Sequence, residues 1–209
     1  MEVHRPHGPF HSWPEFLVEV ATIVLGVVIA LSFEGAREWY HNRALARDAR
    51  EAIAREIADN KKSVDGNLRA VDERTKRLDE ALQFANEMLT KGKSAMQSIS
   101  LNADLGDLSS ASWETADHTG ALAQMSYAEV QKYSYAYILQ NQYQAQQRRT
   151  LEHLSDALSM VSSVFDPSTA PRSDIERFRT QVLALNGDIY IERQLAQQLS
   201  ERYARVLKH

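Results

Sequence analysis

The stretch FLVEVATIVLGVVIALSFEGAREWYHNR, Phe16–Arg43, decides the architecture. From Phe16 to Phe33 its only charge is Glu19. At about 1.5 Å per residue a helix of that length covers roughly 27 Å, close to the hydrocarbon thickness of a bilayer. Trp13 precedes the run and Trp39-Tyr40 follow it. About 39 Å of helix separates these aromatics, the spacing of the two headgroup regions. The spacing predicts a transmembrane helix with its flanks over residues 15–40, after an N-terminal tail of residues 1–14. Ser12-Trp13-Pro14-Glu15 reads as a capping box that opens this helix.

Two rivals fit less well. A cleaved secretory signal would use Ala30-Leu31-Ser32 as its small-residue site, but Arg5 is the one firm positive charge ahead of the run and an acid sits inside it. A buried soluble helix would need apolar mass to wrap it, and the remaining chain is a small amphipathic domain. Counting Lys and Arg near the span sets Arg5 against Arg37, Arg43, Arg47 and Arg50. By the positive-inside rule this places the C-terminal part in the cytoplasm, with the span in a bacterial inner membrane.

Glu19 has a place in the helical pattern. At about 100° per residue, Glu19, Thr22, Gly26, Ala30 and Arg37 share one narrow face, and the large aliphatic residues take the others. Gly26 and Ala30 form a small-xxx-small pair that admits a second helix closely. A carboxylate on the same face either reaches the headgroups from a shallow depth or meets a partner helix. Glu19, Thr22, Gly26 and Ala30 are therefore the candidate helix–helix contact.

Beyond the span, residues 41–209 read as a helical bundle. Ile57, Val64, Val71, Leu78 and Ala85 recur every seven residues, interleaved with Leu68, Thr75, Leu82 and Leu89, giving a long helix over about 41–91. Gly92 and the polar residues after it form a connection. A short helix follows over about 112–123. Ser126-Tyr127-Ala128-Glu129 is a capping box opening a long helix over about 127–165, and Ser173-Asp174-Ile175-Glu176 opens the last, over about 174–207. The last seam is Ile175, Phe178, Val182, Leu185, Ile189, Ala196, Leu199, Tyr203 and Val206, interrupted by Glu192. The expected fold is all-α: one transmembrane helix running into a stalk and an antiparallel bundle.

The helix over 127–165 has a half-polar seam: Val130, Tyr133, Tyr137, Gln140, Gln144, Gln147, then Leu151, Leu154, Leu158, Val161 and Phe165. Buried hydroxyls and amides need partners, so its first half forms an internal network, lies against a partner, or lines a ligand pocket. Trp113, with Gly120 and Leu122, reads as a structural anchor that fastens the short helix between the long ones, Gly120 allowing close approach.

Two segments, FLVEVATIVLGVVIALSFEGAREW and SWETADHTGALAQMSYAEVQKYSYAY, resemble a family of uncharacterised bacterial single-span membrane proteins. That family has an acid-containing Leu-Gly-Val membrane helix and a later Trp-x-x-Ala…Thr-Gly-Ala-Leu element. Glu19, Gly26, Trp113, Ala116, Thr119, Gly120, Ala121 and Leu122 match its pattern. The resemblance implies membrane attachment and a helical domain, and brings no activity with it.

Other chemistry is sparse. A net charge of −4 with intermixed signs gives no basic footprint for nucleic acid, and the absence of cysteine excludes disulfides and thiolate metal sites. Glu114, Asp117 and His118 sit within about one helical turn and are the one set suited to acid–base or metal chemistry; acids favouring a helix start and a surface or packing histidine are the simpler explanation. His4, His7 and His11 resemble a metal cluster, but Pro6 and Pro9 rule out regular helical spacing. Phosphate loops, nucleophile elbows and dinucleotide fingerprints are missing, as is the Glu-x-x-His pair of di-iron bundles. No cofactor or metal is expected. Three functions follow: a membrane-anchored interaction or scaffold protein that self-associates or joins a membrane complex, a membrane-tethered ligand sensor using the Tyr/Gln seam, and an enzyme built on Glu114, Asp117 and His118.

Overall fold

The computed structural model describes residues 13–92, 94, 101, 106–164 and 170–208. Its elements are α1 (Trp13–Lys91), α2 (Ala111–His118), a short 3-10 turn (Leu122–Gln124), α3 (Tyr127–Val164) and α4 (Arg172–Leu207). Among the described residues there is no strand, and the fold is all-α.

The apolar N-terminal segment and the stalk form one unbroken helix of 79 residues, about 118 Å long at 1.5 Å per residue. Its described residues from Trp13 to His41 are all exposed, and Ala46 is the first buried one. The most apolar 18-residue window has a mean hydropathy of 2.5 and none of it is buried in the protein. A soluble core helix would bury such a run; this one stands outside its own fold. One helix is therefore long and apolar enough to cross a membrane.

Past Ala46 the helix acquires an inner face. Its buried residues are spaced alternately four and three apart: Ile53, Ile57, Asn60, Val64, Asn67, Val71, Arg74, Leu78, Ala81, Ala85 and Met88. That 3.5-residue repeat keeps one stripe toward its neighbour along the whole bundle. α4 shows the same spacing from Ile175 to Val206, with Glu192 in its proper step rather than outside it. α3 does so through Tyr133, Ala136, Gln140, Tyr143, Gln147, Thr150, Leu154 and Ala157. Each fully buried large aliphatic or aromatic side chain on these seams, such as Ile57, Phe178 or Leu199, contributes about 1.5–3 kcal/mol of transfer free energy.

Several of the expected seam positions on α1 and α3 move by one residue. Leu68, Thr75, Leu82 and Leu89 are only half-buried, and the buried steps are Asn67, Arg74, Ala81 and Met88. Leu151 and Leu158 are exposed, and Thr150 and Ala157 take their place. At Asn67, Ala81, Thr150 and Ala157 the inward position is polar or small and a leucine stands beside it; at Arg74 and Met88 that contrast is lacking.

α4 packs along both α1 and α3. α1 and α3 meet largely through long side chains and through residues 106–110, laid between them and followed by α2. Two apolar clusters result. One, near the apolar N-terminal segment, joins Ile53, Ile57, Tyr143, Leu199 and Tyr203 with Ala116 and Ala121. The other, at the far end, joins Leu78, Phe84, Phe178, Val182 and Leu185.

The short helix ends earlier than expected. α2 stops at His118, and Gly120 adopts φ +74°, its N–H donating to the Asp117 carbonyl at 3.0 Å. A Cβ at Gly120 would meet nothing within 4 Å, so its role is the left-handed turn that closes the helix, not close approach. α4 begins slightly early, with Pro171 as its N-cap. His4, His7, His11 and the Ser12 cap lie outside the described residues.

Candidate functional site

The Tyr/Gln seam of α3 is enclosed. Tyr133, Tyr137, Gln140 and Gln147 are buried and Gln144 half-buried. Tyr203 Oη donates to Gln140 Oε1 at 2.5 Å, and Asn60 Nδ2 donates to the same oxygen at 3.2 Å. Gln140 Nε2 and Asn60 Nδ2 both donate to the Ser109 carbonyl, at 3.0 and 2.7 Å, and the Ser109 N–H returns a bond to Asn60 Oδ1. Gln144 Nε2 donates to the Leu108 carbonyl at 3.0 Å. Residues 106–110 carry no secondary structure of their own; the amides of α1 and α3 supply the partners their backbone needs.

One level down, Asn67 Nδ2 and Gln147 Nε2 each donate to Tyr143 Oη at 3.0 Å. Burial pushes the Tyr143 hydroxyl up to about 12 and Tyr203 upward as well, so both stay neutral hydrogen-bonding groups across the physiological range. Tyr133 is also raised, by burial first and by the nearby Glu129 carboxylate second.

Glu56 is the hub that binds α2. Its Oε2 accepts from the Ser109 hydroxyl and the Ser112 N–H, both at 2.8 Å, and its Oε1 accepts from Tyr137 Oη at 2.6 Å. A carboxylate from α1 thus caps α2 from across the fold. Burial pushes the Glu56 carboxyl up, and the donors from Ser112, Tyr137 and Ser109 outweigh it, leaving a net lowering. For Tyr137, burial is the larger cause and the Glu56 bond adds to it, so its pKa rises strongly. Trp113 stacks on the Tyr137 ring, centroids 5.2 Å apart and planes at 22°. Trp113 and Leu122 are both half-buried against the apolar cluster that contains Ile53 and Tyr203. At the start of α3, the Glu129 N–H bonds the Ser126 hydroxyl, and its carboxylate meets Arg50 through two oxygens at 2.5 and 3.0 Å. The Arg50 bond is the largest cause holding Glu129 low.

Between the two apolar clusters lies an ionic layer. Arg74 Nη1 donates to Glu192 Oε1 at 3.1 Å, with side chains 6% and 1% exposed. Arg74 Nε and Glu192 Oε2 have no hydrogen-bond partner among the described residues. Beside them Gln146 Nε2 donates to Asp188 Oδ1 at 3.1 Å, and His153 Nδ1 contacts Asp188 Oδ2. Sequence reasoning missed Asn67, Arg74, Tyr143, Gln146 and Asp188. The readable signal was Glu192 standing on an otherwise apolar seam.

These groups offer little room for a substrate. The cavity bounded by Arg74, Thr150, Leu154 and Leu185 measures about 10 Å³, the scale of one water. Two open clefts flank α2, of about 360 and 420 Å³, and none of Tyr133, Tyr137, Gln140, Gln144 or Gln147 lines either. Glu114, Asp117 and His118 are exposed and line neither cleft; Glu114 accepts from the Ser110 hydroxyl at 2.5 Å. Among the described residues no group of three His, Asp or Glu side chains is placed to hold a metal.

The small-polar stripe of the apolar N-terminal segment is the opposite case, since Glu19, Thr22, Gly26 and Ala30 are all exposed. The Thr22 hydroxyl donates to the Val18 carbonyl at 2.8 Å, turning its polar atom onto its own helix. A Cβ at Gly26 would meet nothing within 4 Å. No protein-family profile, curated protein or solved structure matches the chain.

Proposed function

We propose that the chain is a single-span membrane scaffold: α1 crosses a bacterial inner membrane once, and its bundle stands on the cytoplasmic side as a rigid interaction module of a membrane complex. The observation that carries this reading is the exposure of the whole Phe16–Phe33 run on a helix that enters the bundle without a break. Buried in lipid, that run would be satisfied; in water it would be a large apolar liability. Apart from Arg74 Nε and Glu192 Oε2, the buried polar side chains described in the bundle pair internally, and an architecture of that kind serves to hold a shape rather than to process a substrate. On the span, the face carrying Glu19, Thr22, Gly26 and Ala30 is the docking stripe for another membrane helix. Gly26 and Ala30 permit close approach, and a Glu19 carboxylate buried against a helix gains a donor that lipid tails lack.

Crosslinking in native membranes, followed by mass determination of the products, tests this. The reading expects a product that the double substitution Glu19→Gln with Gly26→Leu removes while the bundle's thermal transition stays unchanged. A chain that is strictly monomeric in membranes and carries no associated protein overturns it.

A further inference from the structure

The outer faces of α1 and α4 differ in kind. On α1 every exposed residue from Asp59 to Glu80 is charged. On α4 no exposed residue from Thr180 to Gln198 is charged. In a chain with 25% charged residues, such a face needs a reason. It contains Leu183 at 46%, Tyr190 at 65% and Ile191 at 45% exposure, together with Ala184, Gly187 and Gln194. Leu183, Gly187, Tyr190 and Gln194 are spaced four, three and four, so α4 carries a second seam of the coiled-coil kind on the side away from α1 and α3. Gly187 has no internal justification: it is helical, its φ is not positive, and a Cβ there would meet nothing within 4 Å. A mid-helix glycine weakens the helix, and its use is close backbone approach.

We infer that this face of α4 is the contact between two copies of the chain, packed in parallel about a two-fold axis along the membrane normal. The parallel arrangement rests on the membrane-anchored reading, because a rigid α1 points every copy the same way. The same tether turns the α4 face sideways, away from the bilayer surface. Charge selects the occupant: an acidic or basic partner finds no counter-charge here, whereas a second copy presents an equally uncharged seam in register and buries no unpaired ion. The surface also continues onto part of α3: by the register that Gln146–Asp188 and Tyr135–Arg202 set, its exposed, uncharged Ile138, Asn141, Gln142 and Ala145 lie beside the second half of the α4 face. The α4 face is about 27 Å long and the adjoining α3 stretch about 12 Å, each about 10 Å wide, roughly 400 Å² per copy. That falls short of the roughly 800 Å² per partner of a standard interface. Confinement to one membrane supplies the effective concentration that makes it sufficient.

α1 packs on the opposite, buried face of α4. At about 8–10 Å between packed axes, the three steps α1–α4–α4–α1 across two copies joined in this way hold their α1 helices about 24–30 Å apart. Each Glu19 stripe then remains open to a different membrane helix.

The cysteine-free chain makes the test direct. In the full-length protein in native membranes, Gly187→Cys and Tyr190→Cys should give a disulfide-linked dimer under oxidation, about tenfold more than Glu73→Cys on the charged face of α1. Adding Tyr190→Glu to Gly187→Cys should reduce that dimer to the Glu73→Cys level, with the helical melting curve unchanged. Gly26→Cys, oxidised in parallel, reports the membrane stripe separately. Dimer from Gly26→Cys but not from positions 187 or 190 overturns the α4 contact and leaves the scaffold reading standing. Equal dimer from all positions, or a product with a different protein at position 187, also overturns it.

Discussion

Along α1, one backbone conformation passes through two different side-chain arrangements. From Phe16 to Phe33 apolar residues surround the helix on nearly every side and every described side chain is exposed. From Ile53 to Met88 they occupy one stripe, which is buried, and the opposite face is charged. Helix propensity does not distinguish these stretches; the angular distribution of apolar residues does. A one-sided stripe asks for protein, and an all-round distribution asks for lipid. The contrast also shows where polar residues are tolerated. Arg74 and Asn67 enter the bundle because partners on α3 and α4 receive them, while Glu19 stands on the span with no partner from its own bundle.

The largest expected effect comes from the ionic layer. Arg74→Ala or Glu192→Ala strands its partner's charge inside the bundle and should cost about 3–5 kcal/mol in chemical denaturation. The double change Arg74→Met with Glu192→Leu should recover that loss or exceed the parent stability by about 1–4 kcal/mol. A double variant as unstable as the single ones would mean that the layer holds the fold by something other than mutual neutralisation.

Next comes the comparison within α1 itself. Ile57→Ala should lower stability by about 2–5 kcal/mol, while Leu25→Ala, on the exposed run, should leave the bundle's melting transition where it was. Equal effects at the two positions would erase the distinction between a protein-facing and a lipid-facing stretch. Tyr143→Phe removes the acceptor shared by Asn67 and Gln147 and should cost about 1–3 kcal/mol.

The smallest effect is a pH dependence. The folded Glu56 carboxyl titrates below its unfolded value, so its contribution is present above the unfolded carboxylate range and is lost as pH falls through the folded pKa. Glu56→Gln should therefore flatten the acid limb of stability against pH and loosen α2, read as faster amide exchange from Ser112 to Ala116. An unchanged acid limb would remove Glu56 as the capping group.

Much of this was legible in the sequence, and the misses share a cause. The α4 seam could be read nearly completely because its inward positions are apolar except for Glu192 and Asp188, and only Asp188 escaped notice. On α1, Ile57, Val64, Val71, Leu78 and Ala85 were legible, but the alternate steps were placed on Leu68, Thr75, Leu82 and Leu89, beside the true positions. Asn67 and Arg74 look like surface residues locally. What makes them core residues is a tyrosine and a glutamate far along the chain, which local periodicity does not carry. The same holds for α2, where Glu56 provides the cap from a separate helix. Gly120 was noticed, but its positive φ depends on where the helix stops rather than on its neighbours' size.

The central claim is that Phe16–Phe33 crosses the bilayer as the start of a single helix. Labelling of single-cysteine variants with a membrane-impermeant maleimide tests it most directly. Leu25→Cys should stay unlabelled in intact membranes and react only after detergent, while Trp13→Cys and Gln83→Cys react from opposite sides. Labelling of Leu25→Cys in intact membranes at the rate of Gln83→Cys, or labelling of both flanks from one side, would contradict it.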